Sequence, residues 1–399
     1  MAPTPVQTRD IRILAFLRGI SWLGDGIALV TLYLRMSHHG GTWFVASLAI
    51  AVALPNIVFS PWAGFVVDNY PAKRLLMSLG VMEALVCVGL SCTTNNYATL
   101  ALMFVLNIGV AFSLPGFGAL VPTLAGLDNV NWANSLLQSV QGLGQVAGPA
   151  LGGVFVGLFG QRWPLVIDAI SFFVAALLVL ALSSDRSPSA HHEPAKRGER
   201  DLGAGFRMLY QDKVLFSVEV ATATFILSLG MINVAEVFFT TRALHATSLE
   251  YGCVATAFGV GMIGGSLLAK NISQDQRSLV RWSMGTIVGI GFVFGVIGLV
   301  TSMVMMYPLM VLGGLLVGLV NVSYNTLFMV RTPEESRGRM TAAAGAIFTS
   351  GELGATALGG IVLSLVAPRT VFQLAGICSV AAVLLLGPSA LRAVRRDAL

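Results

Sequence analysis

Twelve runs of about 20 mostly apolar residues follow one another along this chain, each long enough to cross a bilayer as a helix. They begin near Ile13, Trp43, Leu75, Tyr97, Ala133, Trp163, Val214, Tyr251, Trp282, Met303, Thr341 and Thr370. The seam between the ninth and tenth runs, around VTSMVMMYP, is the least sharply marked. Only 11% of the 399 residues are charged, against about 25% for an ordinary soluble protein. So few charges leave a soluble surface unsolvated, and lipid is the expected solvent. The expected fold is an all-α polytopic membrane protein. The opening MAPTPVQTRDIR is polar and shows no cleavage site after a short apolar core, so no signal peptide is expected.

One long polar stretch divides the runs six and six. Ser183 to Asp201 reads SSDRSPSAHHEPAKRGERD, too rich in Pro, Ser and charge to bury a core of its own. The expected organisation is an N-terminal six-helix bundle over 1–182, a linker over 183–213 and a C-terminal bundle over 214–399. Within the linker, GFRMLYQDK reads as a short amphipathic helix on the membrane surface. His191 and His192 lack further ligands and do not read as a metal site. Cys87, Cys92, Cys253 and Cys378 all lie in apolar runs without metal-ligand spacing and read as inert thiols.

Basic residues orient the spans. With both termini cytoplasmic, nineteen lysines and arginines fall on the cytoplasmic side, and four, Arg35, Arg162, Arg242 and Arg369, on the other. Arg18 lies within the first span. That bias follows the positive-inside rule and sets the expected orientation. It also accounts for the net charge of +5 without invoking nucleic acid. The halves repeat as well. GPALGGVFVGLFGQRWP in the fifth span and ATALGGIVLSLVAPRTV in the eleventh share Ala-Leu-Gly-Gly and an arginine nine residues after the second glycine, at a constant offset of 207 residues. Two pseudo-symmetric six-helix bundles fit the parallel-repeat pattern of transporters.

The fifth span carries GQVAGPALGG, four glycines and a proline in ten residues. On a helix, Gly144, Gly148 and Gly152 share one face and admit a second backbone. Pro149 removes a backbone hydrogen bond and bends the helix. G-x-x-x-G-P-x-x-G-G, matched by Gly144, Gly148, Pro149, Gly152 and Gly153, resembles the antiporter motif of drug–proton antiporters in the major facilitator superfamily. The twelve spans, central loop and repeat are similar to that superfamily over essentially the whole chain. The resemblance implies an exporter whose fifth span packs on the glycine-rich eighth (Gly259, Gly261, Gly264, Gly265), sealing the outer side. The GVGMIG within that eighth span follows no strand and does not read as a dinucleotide site.

The loop after the second span, GFVVDNYPAKR, resembles the superfamily signature at Gly64, Asp68 and Lys73, followed by Arg74. It departs from the signature at Asn69, Pro71 and Ala72. A cytoplasmic-gate role is what the resemblance implies, beside the simpler reading of a charged loop orienting two helices. Arg337 and Arg339 in RTPEESRGRM resemble the corresponding loop of a branch containing macrolide-efflux and siderophore-exporting proteins. WLGDG in the first span and FSLPGFGALVP in the fourth look similar to that branch too.

Acids inside the spans are the candidate chemistry. Asp25 lies some 20 Å into its helix at 1.5 Å per residue, where a charge costs at least ~3 kcal/mol unless it meets water or a partner. A carboxyl can avoid that cost by taking a proton. The resemblance implies that spans 1, 4, 7 and 10 surround the central cavity, with Asp25 on the first. The alternative is a static bridge from Asp25 to Arg18. Glu352 is similarly deep in span 11. Glu83 is moderately deep in span 3, which the resemblance implies is peripheral, so Glu83 reads as structural, while Glu219, Glu236 and Asp168 read as near helix ends, able to snorkel or cap. The fourth span lacks the arginine that many exporters of this superfamily carry. Gln138, Gln141 and Gln145 share a face of span 5. Asn107, Asn233, Asn321 and Asn325 sit on spans 4, 7 and 10, and together they suggest a mixed polar and apolar pocket. The chain's 15 methionines and 22 phenylalanines would give it an adaptable lining.

No Walker sequence, nucleophile–base set or metal-ligand set stands out, so neither an ATP-driven pump nor an enzyme is expected, and no cofactor. The expected function is secondary export of amphipathic small molecules in exchange for protons, by alternating access. The expected setting is a monomer integral to the plasma membrane (the inner membrane of a bacterium). The partners are a small-molecule substrate, the proton and the lipid bilayer, with no nucleic acid. A lipid or lysophospholipid flippase and a non-transporting membrane sensor on the same fold remain as alternatives.

Overall fold

The computed structural model describes residues 4–183, 202–273, 275–333 and 336–397. His191, His192 and most of the expected linker lie outside the described residues. Thirteen α-helices are described. The first six are α1 (Pro5–His39), α2 (Gly41–Asn69), α3 (Ala72–Cys92), α4 (Asn96–Ala125), α5 (Val130–Phe159) and α6 (Arg162–Leu180). A short helix α7 (Leu202–Gln211) precedes α8 (Lys213–Phe238) and α9 (Ser248–Leu268). Then come α10 (Gln276–Ile297), α11 (Met303–Arg331), α12 (Arg337–Leu365) and α13 (Pro368–Asp397). Among the described residues, the twelve other than α7 are long and apolar enough to cross a membrane. Spans 7 to 12 are therefore α8 to α13.

Local chemistry sets the helix starts, several of them ahead of the apolar runs. α1 begins eight residues before Ile13 because Thr4 and Gln7 form a reciprocal capping box and Pro5 supplies the first turn. Asp275 caps α10 by accepting from Ser278 N, so the helix starts at Gln276, six residues ahead of Trp282. Ser302 caps α11 at Val304 N, so the weakly marked seam does end at Met303. Asp212 accepts from Val214 N and Leu215 N at the start of α8. α4 and α5 end at Gly126 and Gly160, whose φ angles of 74° and 73° belong to glycine.

Two compact units emerge: residues 1–191 with 247–256, and residues 192–246 with 257–399. The first turns of α9 thus group with the first six helices. In the first unit α1 packs on α5 and α6, α3 on α4 and α6, and α2 on α4. In the second, α8 packs on α12 and α13, α10 on α11 and α13, and α7 on α12. An apolar cluster including Ile11, Leu14, Leu17, Leu76, Leu120 and Val179 closes one end of the first unit.

Charges at helix ends pin loops. The buried Arg35 donates to the carbonyls of Leu90 (3.0 Å), Thr93 (3.1 Å) and Gln161 (3.2 Å), tying α1 to the end of α3. Arg369 does the same in the second unit, donating to Val300 O at 2.7 Å. At the opposite end of the first unit, Lys73 donates to Leu182 O and Ser183 to the Asp10 carboxylate.

Candidate functional site

Gly144, Gly148 and Gly152 of α5 meet a different neighbour from the one expected. A Cβ on Gly148 would lie 3.0 Å from Gly26 Cα and 3.1 Å from Leu23 O, and one on Gly152 would lie 3.0 Å from Ile27 O. Gly144 likewise abuts Trp22. The 144–148–152 stripe therefore seats α1, within its own bundle. The face toward α9 is carried by Gly153 and the Pro149 carbonyl, which touch Gly252, and Thr256 Oγ1 donates to Val146 O at 2.8 Å. Gly261 and Gly265, expected against α5, instead seat α11 at Val311 and Leu315. Gly252 was missed because an isolated glycine near a helix start carries no spacing signal.

Close packing of α1 places Asp25. Gly24 admits the Asp168 carboxylate and Ser171 of α6, and Gly26 admits the α5 backbone. The WLGDG sequence thus puts an acid between two points where α1 has no side chain. Asp25 lines a cavity of about 290 Å³ inside the first unit, together with Arg18, Glu83, Ser113, Phe117 and Gln141. Asp25 makes no hydrogen bond or ion pair with any described residue. Arg18 does not bridge to it: its guanidinium lies 4.2 Å from the Trp22 ring centre and 4.7 Å from that of Phe117, a cation–π cage.

Two acids differ from their sequence reading. Glu83 is not peripheral. It is 4% exposed, lines the same cavity, and its Oε1 has no hydrogen-bond partner. Gly109 of α4 makes room for it. Asp168 does not snorkel. It is fully buried beside Gly24, accepting from Cys87 Sγ at 3.3 Å and Ser171 Oγ at 3.2 Å. Each lies on a helix whose inner face the apolar pattern shows, but that pattern does not show that the faces of α1, α3 and α6 converge. Glu219, also expected near a helix end, is 2% exposed and accepts from Tyr324 OH at 2.5 Å.

The other candidates divide. Gln141 joins the cavity, whereas Gln138 and Gln145 are exposed. Asn107 is buried, its amide donating to Met103 O at 2.9 Å. Asn233, Asn321, Asn325 and Glu352 are exposed, with Asn325 donating to Asn321 O at 2.8 Å. Gly64 meets nothing within 4 Å, so it is not a packing glycine. Asp68 is half-buried and Arg74 exposed. Arg339 lays its carbonyl against Gly205 of α7, and the Arg337 side chain lies outside the described residues.

Comparison with known proteins agrees with this architecture. The Major Facilitator Superfamily profile matches residues 14–356 and 220–397. Macrolide efflux protein A of Streptococcus pyogenes is 21% identical over 272 residues, covering 65% of this chain and 67% of its own. Multidrug efflux pump Tap of Mycobacterium tuberculosis is 24% identical over 336 residues, covering 79% and 78%. Among solved structures, the nucleoside transporter NupG superposes with TM-score 0.71 at 14% identity, covering 97% of this chain and 99% of that one. A bacterial homologue of the human lysosomal transporter Spinster, inward-facing and unoccupied, gives 0.68 at 13%, covering 99% and 98%. The structures show the fold, and the profile match shows the family. The chain belongs to the Major Facilitator Superfamily and is an integral membrane transporter.

Proposed function

We propose that this transporter exports amphipathic small molecules in exchange for protons, with Asp25 as the proton carrier. The observation that carries the reading is the cavity holding Asp25, Glu83 and Arg18 inside one six-helix bundle. The cavity supplies a carboxylate unbonded to protein, a second carboxyl with an unpartnered oxygen, and a cation held by rings. That set can take up and release a proton without breaking a structural ion pair. Export is supported by relatives named for macrolide and multidrug efflux. Residues 1–182 and 214–399 are the two bodies that rock in alternating access, joined by 183–213, with both termini cytoplasmic and the chain acting as a monomer. Asn233, Asn321, Asn325, Gln138 and Glu352, exposed on their own helices, are available to substrate. The Gly64–Arg74 segment, from the end of α2 into α3, and Arg337–Arg339 act at the cytoplasmic gate.

The test is flux in inverted vesicles. An inside-acid gradient should drive uptake of a macrolide or a lipophilic dye, and a protonophore should abolish it. Uptake that follows sodium or ATP instead would reject proton exchange. Lipid movement without solute movement would identify a flippase, and ligand binding with no flux a sensor.

A further inference from the structure

Helix α7 separates two cavities in the second unit. The first, about 760 Å³, opens where α8 and α12 begin and α11 and α13 end. Its charged walls are Asp212, Lys213, Arg331 and Arg392. Arg331 is committed, its Nε donating to Asp212 Oδ2 at 2.9 Å and its Nη1 to Gln276 Oε1 at 2.7 Å. Lys213 and Arg392 are exposed and have no hydrogen-bond or ion-pair partner among the described residues. Among the described residues, three cations therefore face one carboxylate that Arg331 already holds.

The second cavity, about 460 Å³, is apolar. Phe206 and Tyr210 of α7 and Phe216, Val220 and Ala223 of α8 line it. Its polar wall groups are few: Glu219 takes the Tyr324 hydroxyl on Oε2 and leaves Oε1 without a partner, Thr224 Oγ1 donates to Val220 O at 2.8 Å, and Arg207, exposed, also lines it. Phe216 to Ala223 lie roughly 5 to 15 Å along α8 from Lys213 at 1.5 Å per residue. Helix α7 buries Leu209 and exposes Phe206 and Tyr210, the pattern of a helix lying in the headgroup–acyl boundary. A basic space thus sits at headgroup level, with an apolar groove running from beside it toward acyl depth.

We propose that these two spaces together bind one anionic phospholipid, its phosphodiester between Lys213 and Arg392 and an acyl chain in the groove beside α7. Basic pockets between helices at the membrane surface select acidic headgroups, and a phosphate so placed receives charge-assisted hydrogen bonds from both side chains. The lipid is a resident ligand that holds α7 to the bilayer, not the transported molecule. The site lies within one unit and does not depend on proton exchange.

The experiment extracts the full chain from bilayers containing equal phosphatidylglycerol and phosphatidylcholine and counts retained lipid by native mass spectrometry. Wild type should retain phosphatidylglycerol over phosphatidylcholine by roughly 30-fold, the ratio that two interfacial cations supply. Lys213→Gln with Arg392→Gln, both exposed and so tolerated by the fold, should remove the preference. Ala223→Trp, which fills the groove, should lower retention of either lipid. Arg277→Gln with Arg281→Gln, exposed cations at the start of α10 that do not line the cavity, should leave the preference intact. Equal retention of both lipids by wild type would overturn the proposal. So would a preference that survives the Lys213/Arg392 change or is lost equally with Arg277/Arg281. Displacement of phosphatidylglycerol by inorganic phosphate alone would assign the basic space to a free anion and overturn the lipid.

Discussion

In the first unit, α5 lays Gly148 and Gly152 against Gly26 and Ile27 of α1. In the second, α12 lays Ala355 and Gly359 against Gly230 and Met231 of α8. The 207-residue repeat thus builds the same helix pair twice, and the two copies diverge in what they place beside it. α1 has Asp25 before its contact glycine, and α8 has Leu229 before Gly230. Pro149 follows Gly148, whereas Thr356 follows Ala355 and donates its hydroxyl to Glu352 O at 2.9 Å. The first unit gathers Asp25, Glu83, Asp168 and Arg18 in its interior. The second keeps Glu219 tied to Tyr324 and places its Asp212–Arg331 ion pair at one end. The acid directly beside the contact glycine is therefore present in one copy only, Asp25 where the other has Leu229, and the proton chemistry we propose belongs to that copy.

The largest expected effect tests that asymmetry. Asp25→Asn keeps shape but cannot titrate, so pH-driven accumulation should fall to the level of empty vesicles while the protein stays folded. Because Arg18 rests on Trp22 and Phe117 and not on Asp25, Arg18→Gln should not rescue it. An unstable Asp25→Asn restored by Arg18→Gln would re-establish a static bridge. A stable variant with unchanged accumulation would move attention to Glu83 and Glu352.

Packing comes next. Gly148→Leu drives a side chain into the backbone of α1. Its cost, read from unfolding in detergent, should reach the upper part of the 1–3 kcal/mol typical of overpacking, or about 3 kcal/mol. Normal stability would mean that α1 and α5 do not touch there.

Tyr324→Phe removes the hydroxyl that serves the buried Glu219 and should cost about 1–3 kcal/mol. Accumulation per folded molecule should be unchanged. A loss of pH-driven accumulation without a loss of stability would give the second unit a share in proton handling.

The smallest effect reverses sign between repeat positions. Gly351 has nothing within 4 Å of a built Cβ, whereas Gly144 abuts Trp22. Gly351→Ala should stabilise by about 0.5–1 kcal/mol through helix propensity, and Gly144→Ala should destabilise. Equal effects at the two positions would break the comparison.

The spans were legible because a bilayer demands long apolar runs, and their starts fall within a few residues of the helix caps at all but α1 and α10. There, capping groups on polar residues extend the helix beyond its apolar stretch. The glycine stripe was legible as a face, but its partner was not. Spacing of four residues says that something packs closely, and α1 rather than α9 supplies it. The acids were legible one at a time, by depth along each span. Depth placed Asp25 well inside its helix and misplaced Asp168, and the resemblance set Glu83 at the periphery, because neither gives the direction a helix face takes.

The sequence by itself determined twelve membrane helices, the doubled six-helix plan and the close-packing stripe on α5, since each follows from composition and periodicity along one helix. Only the tertiary structure decided that Gly24 and Gly26 bracket Asp25, that Glu83 and Asp25 share one cavity, and that Arg18 lies on rings. Those facts depend on contacts between residues far apart in the chain, and helical periodicity fixes which face is buried without naming the face it meets.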